Sequence, residues 1–180
     1  MNLTLEKRRK VLSSSLSLSY IRPLHIVRGS GQFLYDKNGV RYLDGVNNIQ
    51  HVGHAHPKIS TAAYEQLQIL NTNTRYLDQH VLDYAERLLK KLPSKLSVCF
   101  FTNSGSESND LALRLARTYT QSSDTIVLEG AYHGHTESLI NVSPYKYKGP
   151  GGFTPPKYIY ELPMPDIKSG IYKGCSAEER

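Results

Sequence analysis

The stretch that most constrains the fold is Lys95–Tyr119, KLSVCFFTNSGSESNDLALRLARTY, because its character changes twice along its length. It begins with a short apolar run, Leu96–Phe101, whose length and whose Val, Cys and Phe content predict one buried strand. A turn of small polar residues follows at Thr102–Ser106. From Glu107 onward the apolar residues recur at spacings of three and four, which predicts an amphipathic helix. The sequence therefore predicts a buried strand, a tight turn and the start of a helix, in that order.

The predicted turn has the properties of an anion site. The first N–H groups of a helix lack partners inside the helix, and the helix dipole adds positive potential at the same end. Gly105 lets an anion approach the backbone closely, and Ser104 and Ser106 add hydroxyl donors. A plainer alternative stays open, in which Ser106 is the N-cap of an ordinary helix. The turn has neither the Gly-Lys-Ser/Thr of a P-loop nor the three-glycine spacing of a dinucleotide fingerprint.

Composition limits the classes of protein and partner. A chain of 180 residues with 39% apolar residues suits one globular domain, or one and a part. It has no apolar run of the length that a membrane span needs, so no membrane partner is predicted. Cys99 and Cys175 give no disulfide framework, which favours a reducing compartment. The net charge of +6 is spread along the chain, which favours a solvated surface or anionic small substrates over nucleic acid.

The N-terminal part predicts an arm followed by strands. Residues 1–20 are basic and then rich in Ser, which suits either a mitochondrial transit segment or a plain arm. Gln32–Tyr35 and Val40–Val46 then predict two strands. Asn38 and Gly39 between them predict a tight turn in which both residues adopt positive φ angles.

Three of the seven histidines, His51, His54 and His56, fall in the irregular polar segment 47–56. A zinc site is one interpretation, but neither a Cys pair nor an acidic cluster stands nearby in the sequence. The other interpretation is a loop of hydrogen-bonded imidazoles, and no metal ligand is predicted.

Two amphipathic helices are predicted between this loop and the central stretch. Pro57 suits the first helical position, and periodic apolar residues continue from it to Leu70. A second helix is predicted from about Asp78 to Leu92, where Pro93 follows and stops it.

Further elements of an α/β fold follow the central stretch. Asp124–Leu128 predicts another short buried strand, parallel to Leu96–Phe101 because one helix joins the two. Since ligands collect at the carboxyl ends of parallel strands, Glu129–His135, EGAYHGH, is expected to face the same edge of the sheet as the turn at Asn103–Ser106. Tyr132 in this loop is a candidate flat surface for a ring. His133 and His135 are candidate donors, with ordinary loop histidines as the alternative.

The remaining residues predict less structure. A helical segment is expected at 136–141 and a strand at 158–162, separated by a loop that is rich in Gly and Pro. From Pro163 onward no periodic pattern is present, so no further strands are predicted that would complete the sheet.

Several of these motifs together resemble those of the class-III aminotransferases, which depend on pyridoxal 5′-phosphate. The motifs are FTNSGSESNDLALRLAR, then EGAYHGHTESL, with HVGHAHP after LDGVNN upstream. The runs NTNTRYL and SVCFFTNSGSE are similar to the branch that contains ethanolamine-phosphate and 5-phosphohydroxy-lysine phospho-lyases. The resemblance covers the chain from about Arg22 to Gly149. It is specific because the separated motifs keep the family's order and approximate spacing.

The resemblance implies an α/β fold of fold-type I, with an incomplete, mainly parallel sheet and an N-terminal small-domain segment. The implied organisation is an arm at 1–20, a small-domain segment at 21–75, a partial cofactor-binding large domain at 76–162 and an irregular tail at 163–180. Carried over by position, Gly105 and Ser106 hold the cofactor phosphate, and Ser104 stands beside them. Tyr132 stacks on the pyridine ring with His133 next to it. Ser108 departs from the Ala that is usual in the family.

The resemblance also implies that the Schiff-base lysine and the carboxylate of the pyridine nitrogen lie beyond the covered region. Asp166 and Lys168 do not stand in the family's motifs for them. No catalytic residue is therefore predicted in this chain, which is interpreted as the N-terminal part of such an enzyme and as inactive without that lysine.

Two activities are compatible with this interpretation. The whole enzyme is expected to be a phospho-lyase acting on a phosphorylated amino alcohol, or an aminotransferase, with a small phosphorylated amine or amino acid as substrate. A homodimer is implied for the full-length form, and a mitochondrial location is expected, with the cytoplasm as the alternative. A different hypothesis is a non-catalytic truncated form that pairs with a full-length subunit.

Overall fold

A computed structural model of the chain describes residues 3–18, 20–46 and 51–176. The chain divides into two compact units, residues 1–78 and 79–180. The first unit contains α1 (Leu3–Val11), β1 (Ile26–Ser30), β2 (Phe33–Asp36), β3 (Arg41–Leu43) and α2 (Pro57–Ile69). The second contains α3 (Gln79–Leu89), α4 (Gly105–Thr120), β4 (Thr125–Leu128), α5 (Glu137–Asn141), α6 (Pro144–Tyr147), β5 (Ile159–Leu162) and a short 3-10 helix, Gly170–Tyr172.

The first unit is built on an antiparallel sheet with strand order β1-β2-β3. The two strands predicted on either side of residues 36–39 are confirmed as β2 and β3, although β3 ends at Leu43 rather than Val46. Strand β1 was not predicted. It pairs Ser30 with Phe33 across a two-residue turn, in which Gly31 adopts a φ of +54°.

The turn between β2 and β3 differs from the predicted one in its backbone. Gly39 has a φ of +82°, but Asn38 does not have a positive φ. The Asp36 carboxylate instead accepts hydrogen bonds from the N–H groups of Asn38 at 2.8 Å and Val40 at 2.9 Å. An Asp side chain that binds the backbone two residues on makes its own turn, so positive φ is needed at one residue only.

Helix α2 begins at Pro57, as the sequence predicts, with His56 as its N-cap residue. Residues 47–50, which belong to the predicted irregular segment, lie outside the described part of the chain. No helix within the described ranges is long and apolar enough to cross a membrane.

The second unit contains one parallel strand pair, β4 with β5. The strands predicted at 124–128 and 158–162 are therefore confirmed, but the parallel partner of β4 was predicted to be Leu96–Phe101. That prediction is wrong: the segment forms no strand within the described residues, and Val98 and Phe100 are exposed. A strand needs a partner on at least one of its two edges, and within the described residues no strand pairs with Leu96–Phe101.

The core of the second unit is small and lies between the β4–β5 pair and α5. Val127, Leu139 and Val142 are buried in it, and Leu113 of α4 and Ile159 of β5 pack against them. Many other large apolar side chains are exposed, including Ile21, Leu77 and Val98. The described residues thus bury only a few of the apolar side chains that the sequence supplies.

Candidate cofactor site

The candidate site is the N-terminus of α4, where the backbone turns from an extended segment into a helix. Ser104 is the N-cap residue, with an extended backbone, and its hydroxyl oxygen accepts a hydrogen bond of 3.1 Å from the Glu107 N–H. The alternative in which Ser106 is the N-cap is therefore wrong. Ser106 is already inside the helix, and so its side chain is free for contacts outside it.

Two further hydrogen bonds fix the turn. The Glu107 carboxylate accepts from the Asn103 N–H at 2.7 Å, and the hydroxyl groups of Thr102 and Ser108 bond each other. Together with the Ser104 cap, these bonds join residues 102–104, before the helix, to residues 107–108 in its first turn. Serine at position 108, the departure from the family's usual Ala, thus has a bonding partner inside the turn.

Two hydrogen bonds join the start of α4 to the loop after β4. The Ser106 hydroxyl oxygen accepts from the His135 N–H at 3.0 Å. One helical turn further, the Asn109 side-chain amide donates to the His133 carbonyl oxygen at 2.8 Å. The two segments, which were predicted to face one edge of a sheet, are joined by these bonds, although Leu96–Phe101 forms no strand within the described residues. Asn109 was not predicted, although its spacing of three from Ser106 puts both residues on one helix face.

Ser143 holds the same loop from the other side. Its hydroxyl oxygen accepts from the His133 N–H at 2.9 Å, and its own hydrogen is donated to the Leu139 carbonyl oxygen at 2.6 Å. Ser143 is fully buried. Sequence analysis missed this residue, because a lone serine within a Gly- and Pro-rich region carries no local signal for such a contact.

Two glycines have different parts in the site. Gly134 has a φ of +146°, and a Cβ there would lie 2.8 Å from the Ser106 hydroxyl oxygen, so only glycine allows the loop this close to α4. A Cβ on Gly105 would meet no atom within 4 Å. The space beside the Gly105 backbone is therefore open, as an incoming group would need.

The donors at this corner suit a phosphate group. Within residues 51–176, the backbone N–H groups of Gly105 and Ser106 have no hydrogen-bond partner. The Ser106 hydroxyl oxygen accepts a bond, which leaves its hydrogen available to donate. Backbone N–H groups, a hydroxyl donor and the positive end of a 16-residue helix form a favourable environment for an anion.

Tyr132 lies in the joined loop, three residues before His135. Its side chain is 53% exposed, and its ring meets that of Tyr145 edge to face, with 6.0 Å between ring centroids. The Lys146 ammonium lies 5.6 Å from the Tyr132 ring. The stacking of Tyr132 on a cofactor ring stays a prediction, as does a cofactor contact of His133, whose backbone groups both bond protein atoms.

The histidines of the first unit form a different arrangement. The imidazole of His54 bonds the Asp44 carboxylate, with 2.8 Å between Nε2 and Oδ2. The Val46 N–H first, and His54 second, lower the pKa of Asp44 below its ordinary value. Within the described ranges, no group of three or more His, Cys, Asp or Glu side chains is arranged to hold a metal ion.

Two hollows of 480 and 460 Å³ occur on the described surface. The first, in the first unit, is lined by apolar residues and the His54–Asp44 pair. The second is lined by residues of α4, α5 and Tyr158, including Asp110, whose pKa is lowered chiefly by the Ser138 hydroxyl. Neither hollow is lined by Gly105, Ser106 or Tyr132.

Comparison with known proteins gives the class of the chain. Its fold is similar to that of a solved phospholyase from Arthrobacter in complex with phosphoethanolamine, with a TM-score of 0.80 and 41% identity over 95% of this chain and 40% of that one. Residues 18–179 match the aminotransferase class-III family. The chain therefore belongs to the class-III aminotransferases, and the predicted α/β fold of pyridoxal-phosphate-dependent transferases is confirmed.

Individual relatives carry two kinds of name. The chain is 48% identical over 170 residues to an alanine–glyoxylate aminotransferase 2-like protein of Drosophila melanogaster and 41% identical over 170 residues to ethanolamine-phosphate phospho-lyase homolog 1 of Caenorhabditis elegans. These matches cover 94% of this chain but 34% and 36% of those proteins. A human relative, 40% identical over 157 residues, is alanine–glyoxylate aminotransferase 2, mitochondrial. The chain thus spans about a third of the length of the curated relatives it matches.

Pyridoxal phosphate is the cofactor that membership of this family implies. The phosphate of the cofactor is an anion that is bound by N–H and hydroxyl donors. The Gly105–Ser106 corner supplies donors of both kinds. The residues present therefore fit the phosphate end of the cofactor.

Proposed function

We propose that the corner at Gly105 and Ser106 binds the phosphate of pyridoxal phosphate, with Ser104 beside it. In this proposal Tyr132 covers one face of the pyridine ring, and His133 stands next to it. The observation that supports the proposal is the hydrogen bond from the His135 N–H to Ser106. It holds the loop of Tyr132 against the N-terminus of α4, where a Cβ on Gly105 would meet open space.

When bound, the cofactor supplies an electron sink that stabilises negative charge on the substrate carbon next to its amine. The residues of this chain bind and orient. The N–H groups at the start of α4 anchor one end of the cofactor, and the loop at 129–135 fixes the height of Tyr132 above it. Ser143 and Asn109 keep that loop in place through the backbone groups of His133.

We propose that the whole protein is a phospho-lyase acting on a small phosphorylated amino alcohol, with aminotransferase as the second candidate. A phospho-lyase would convert its substrate and water into an aldehyde, ammonia and inorganic phosphate. The phosphoethanolamine-bound relative and the Caenorhabditis phospho-lyase homologue support the first candidate, and the Drosophila relative's name supports the second. The lysine that binds the cofactor would come from residues outside these 180, since the relatives are about three times as long.

We further propose that these residues work inside a larger assembly, either the full-length homodimer or a pairing of the short form with a full-length subunit. The support is the number of large apolar side chains that stay exposed, with Leu77 and Ile21 wholly so. Exposed apolar surface of this extent is typical of a face that further polypeptide covers. Size measurement of the 180-residue chain, alone and with the full-length subunit, distinguishes the two arrangements.

The cofactor proposal is tested with the complete polypeptide that carries these residues. Equilibrium dialysis compares pyridoxine 5′-phosphate with pyridoxine, two alcohols that cannot react with surface lysines. Phosphate recognition at the corner predicts that the phosphorylated form binds about 100-fold more tightly, since several charge-assisted hydrogen bonds are at stake. Equal affinity for the two compounds would contradict the proposal.

The choice between the two activities needs a product assay. The same polypeptide, loaded with pyridoxal phosphate, is incubated with phosphoethanolamine and the release of inorganic phosphate is measured. A parallel reaction measures amino transfer to a keto acid. Phosphate release without dependence on a keto acid supports the phospho-lyase, and keto-acid-dependent transfer without phosphate release supports the aminotransferase.

A further inference from the structure

Lys146 is a half-buried lysine beside the candidate site, and its surroundings set it apart from its neighbour Lys148. Its ammonium lies 5.6 Å from the ring of Tyr132 and 5.7 Å from that of Tyr145. Among the described residues no carboxylate forms an ion pair with it. Lys148, two residues on, is paired with Glu161 at 2.6 Å. Lys146, in the last turn of α6, and Lys148, just after the end of that helix, thus differ in charge compensation.

The position of Lys146 is tied to the proposed cofactor site through the backbone. The Tyr145 N–H donates to the Ala131 carbonyl oxygen at 3.1 Å, next to Tyr132 in the chain. Ser143, at the start of the same helix, bonds His133. These bonds join α6 to the loop that Ser106 bonds, and they hold the backbone of Lys146 near Tyr132.

A substrate that carries its own phosphate needs a second anion site. The Gly105–Ser106 corner has donors for one phosphate group, and in the proposed function the cofactor takes it. A positive charge near the Tyr132 ring, without a carboxylate partner, has the chemistry that a second phosphate requires. An ammonium is a compact charge on a flexible stem, so it can leave the ring faces and approach an anion.

We propose that Lys146 binds the phosphate group of a phosphorylated amine substrate and thereby sets the preference of the site for such substrates. This inference rests on the proposed function. It adds to it a residue that separates phosphorylated from unphosphorylated amines. Lys148, whose charge is compensated by Glu161, does not bind the substrate in this proposal.

The test uses the complete, cofactor-loaded protein and the variants Lys146→Met, Lys146→Arg and Lys148→Met. KM and kcat are measured with phosphoethanolamine, and the inhibition constant of inorganic phosphate gives a readout that needs no turnover of the phosphorylated compound. Loss of one charge-assisted contact predicts a rise of about 10–100-fold in both constants for Lys146→Met. Lys146→Arg is expected to restore most of the affinity, and Lys148→Met to change it by less than about threefold.

Two controls separate the possible failures. Affinity for pyridoxine 5′-phosphate should be the same in all three variants, because in this proposal Lys146 binds the phosphate of the substrate and not that of the cofactor. If KM and the phosphate inhibition constant are unchanged in Lys146→Met, or if Lys148→Met has the same effect, the inference is overturned while the proposed function stands. If the unsubstituted protein does not distinguish pyridoxine 5′-phosphate from pyridoxine, the proposed function itself fails.

Discussion

The hydroxyl oxygen of Ser106 accepts a hydrogen bond from the backbone N–H of His135, and the two residues are 29 positions apart in sequence. This bond brings the start of α4 against the loop that follows β4. Since the oxygen is the acceptor, the serine hydrogen stays free to donate to an anion. One side chain therefore serves both the architecture of the corner and its proposed chemistry.

Replacing Ser106 by Ala is expected to weaken binding of pyridoxine 5′-phosphate by about 10–100-fold, since one donor to a charged group is lost and the loop at His135 is released. Equilibrium dialysis with the complete polypeptide measures the change. Ser108→Ala is the matched control, because its hydroxyl bonds Thr102 within the turn. We expect that control to change the affinity by less than about threefold. Equal losses of affinity in the two variants would show that Ser106 does not donate a specific hydrogen bond to the phosphate.

Replacing Gly105 by Ala should separate folding from binding. The new methyl group meets no protein atom within 4 Å, and the residue has no positive φ. The free energy of unfolding should stay the same or rise by about 0.4–1 kcal/mol, because Ala restricts the unfolded chain. Affinity for pyridoxine 5′-phosphate should nevertheless fall by at least about tenfold, since the methyl group occupies the approach to the backbone. Unchanged affinity in a stably folded variant would contradict the phosphate assignment.

The raised pKa of Tyr147 predicts a loss of stability in alkaline solution. Burial, with the nearby Glu161 carboxylate as a second cause, raises its pKa to about 12 from 10.0. Between these values the folded state keeps a proton that the unfolded state has released, so the free energy of unfolding falls as the pH rises from 10 to 12. Tyr147→Phe should make this decline less steep. Urea unfolding at several pH values gives the slope, and an unchanged slope would count against the assignment.

A clash is expected when Gly29 is replaced by Ala. The new Cβ would lie 2.6 Å from Cγ of His54, so the imidazole that bonds Asp44 must move. We expect a loss of about 1–3 kcal/mol in the free energy of unfolding, as for other overpacked sites. Gly45→Ala is the control, since a Cβ there meets nothing within 4 Å, and it should change stability by less than about 0.5 kcal/mol. Denaturant unfolding of both variants checks the difference.

The helices were the most predictable part of this fold. The period of the apolar residues and Pro57 located α2, and the change of pattern after the small polar turn located α4 to within two residues of its start at Gly105. These signals are local, because a helix bonds residues four positions apart. The helix cap was less predictable, since Ser104 and Ser106 are chemically equal and only the backbone angles decide which one ends the extended segment.

Strand pairing was predicted less well, and Leu96–Phe101 illustrates the reason. Its composition suits a strand, but a strand forms only where another strand supplies hydrogen bonds, and within the described residues no strand pairs with this segment. The contacts of Asn109 and Ser143 with the backbone of His133 were likewise invisible in the sequence, because they join residues from separate elements.

The sequence by itself determined the family motifs, the helix periods and the small polar turn at Ser104–Ser106, because each depends on residues that are close together along the chain. Only the tertiary structure decided that Ser106 bonds His135, that Ser104 caps the helix, and that Lys146 lies by Tyr132 without a carboxylate while Lys148 is paired. Such contacts depend on how distant segments pack, and packing is fixed by the whole fold rather than by any short pattern.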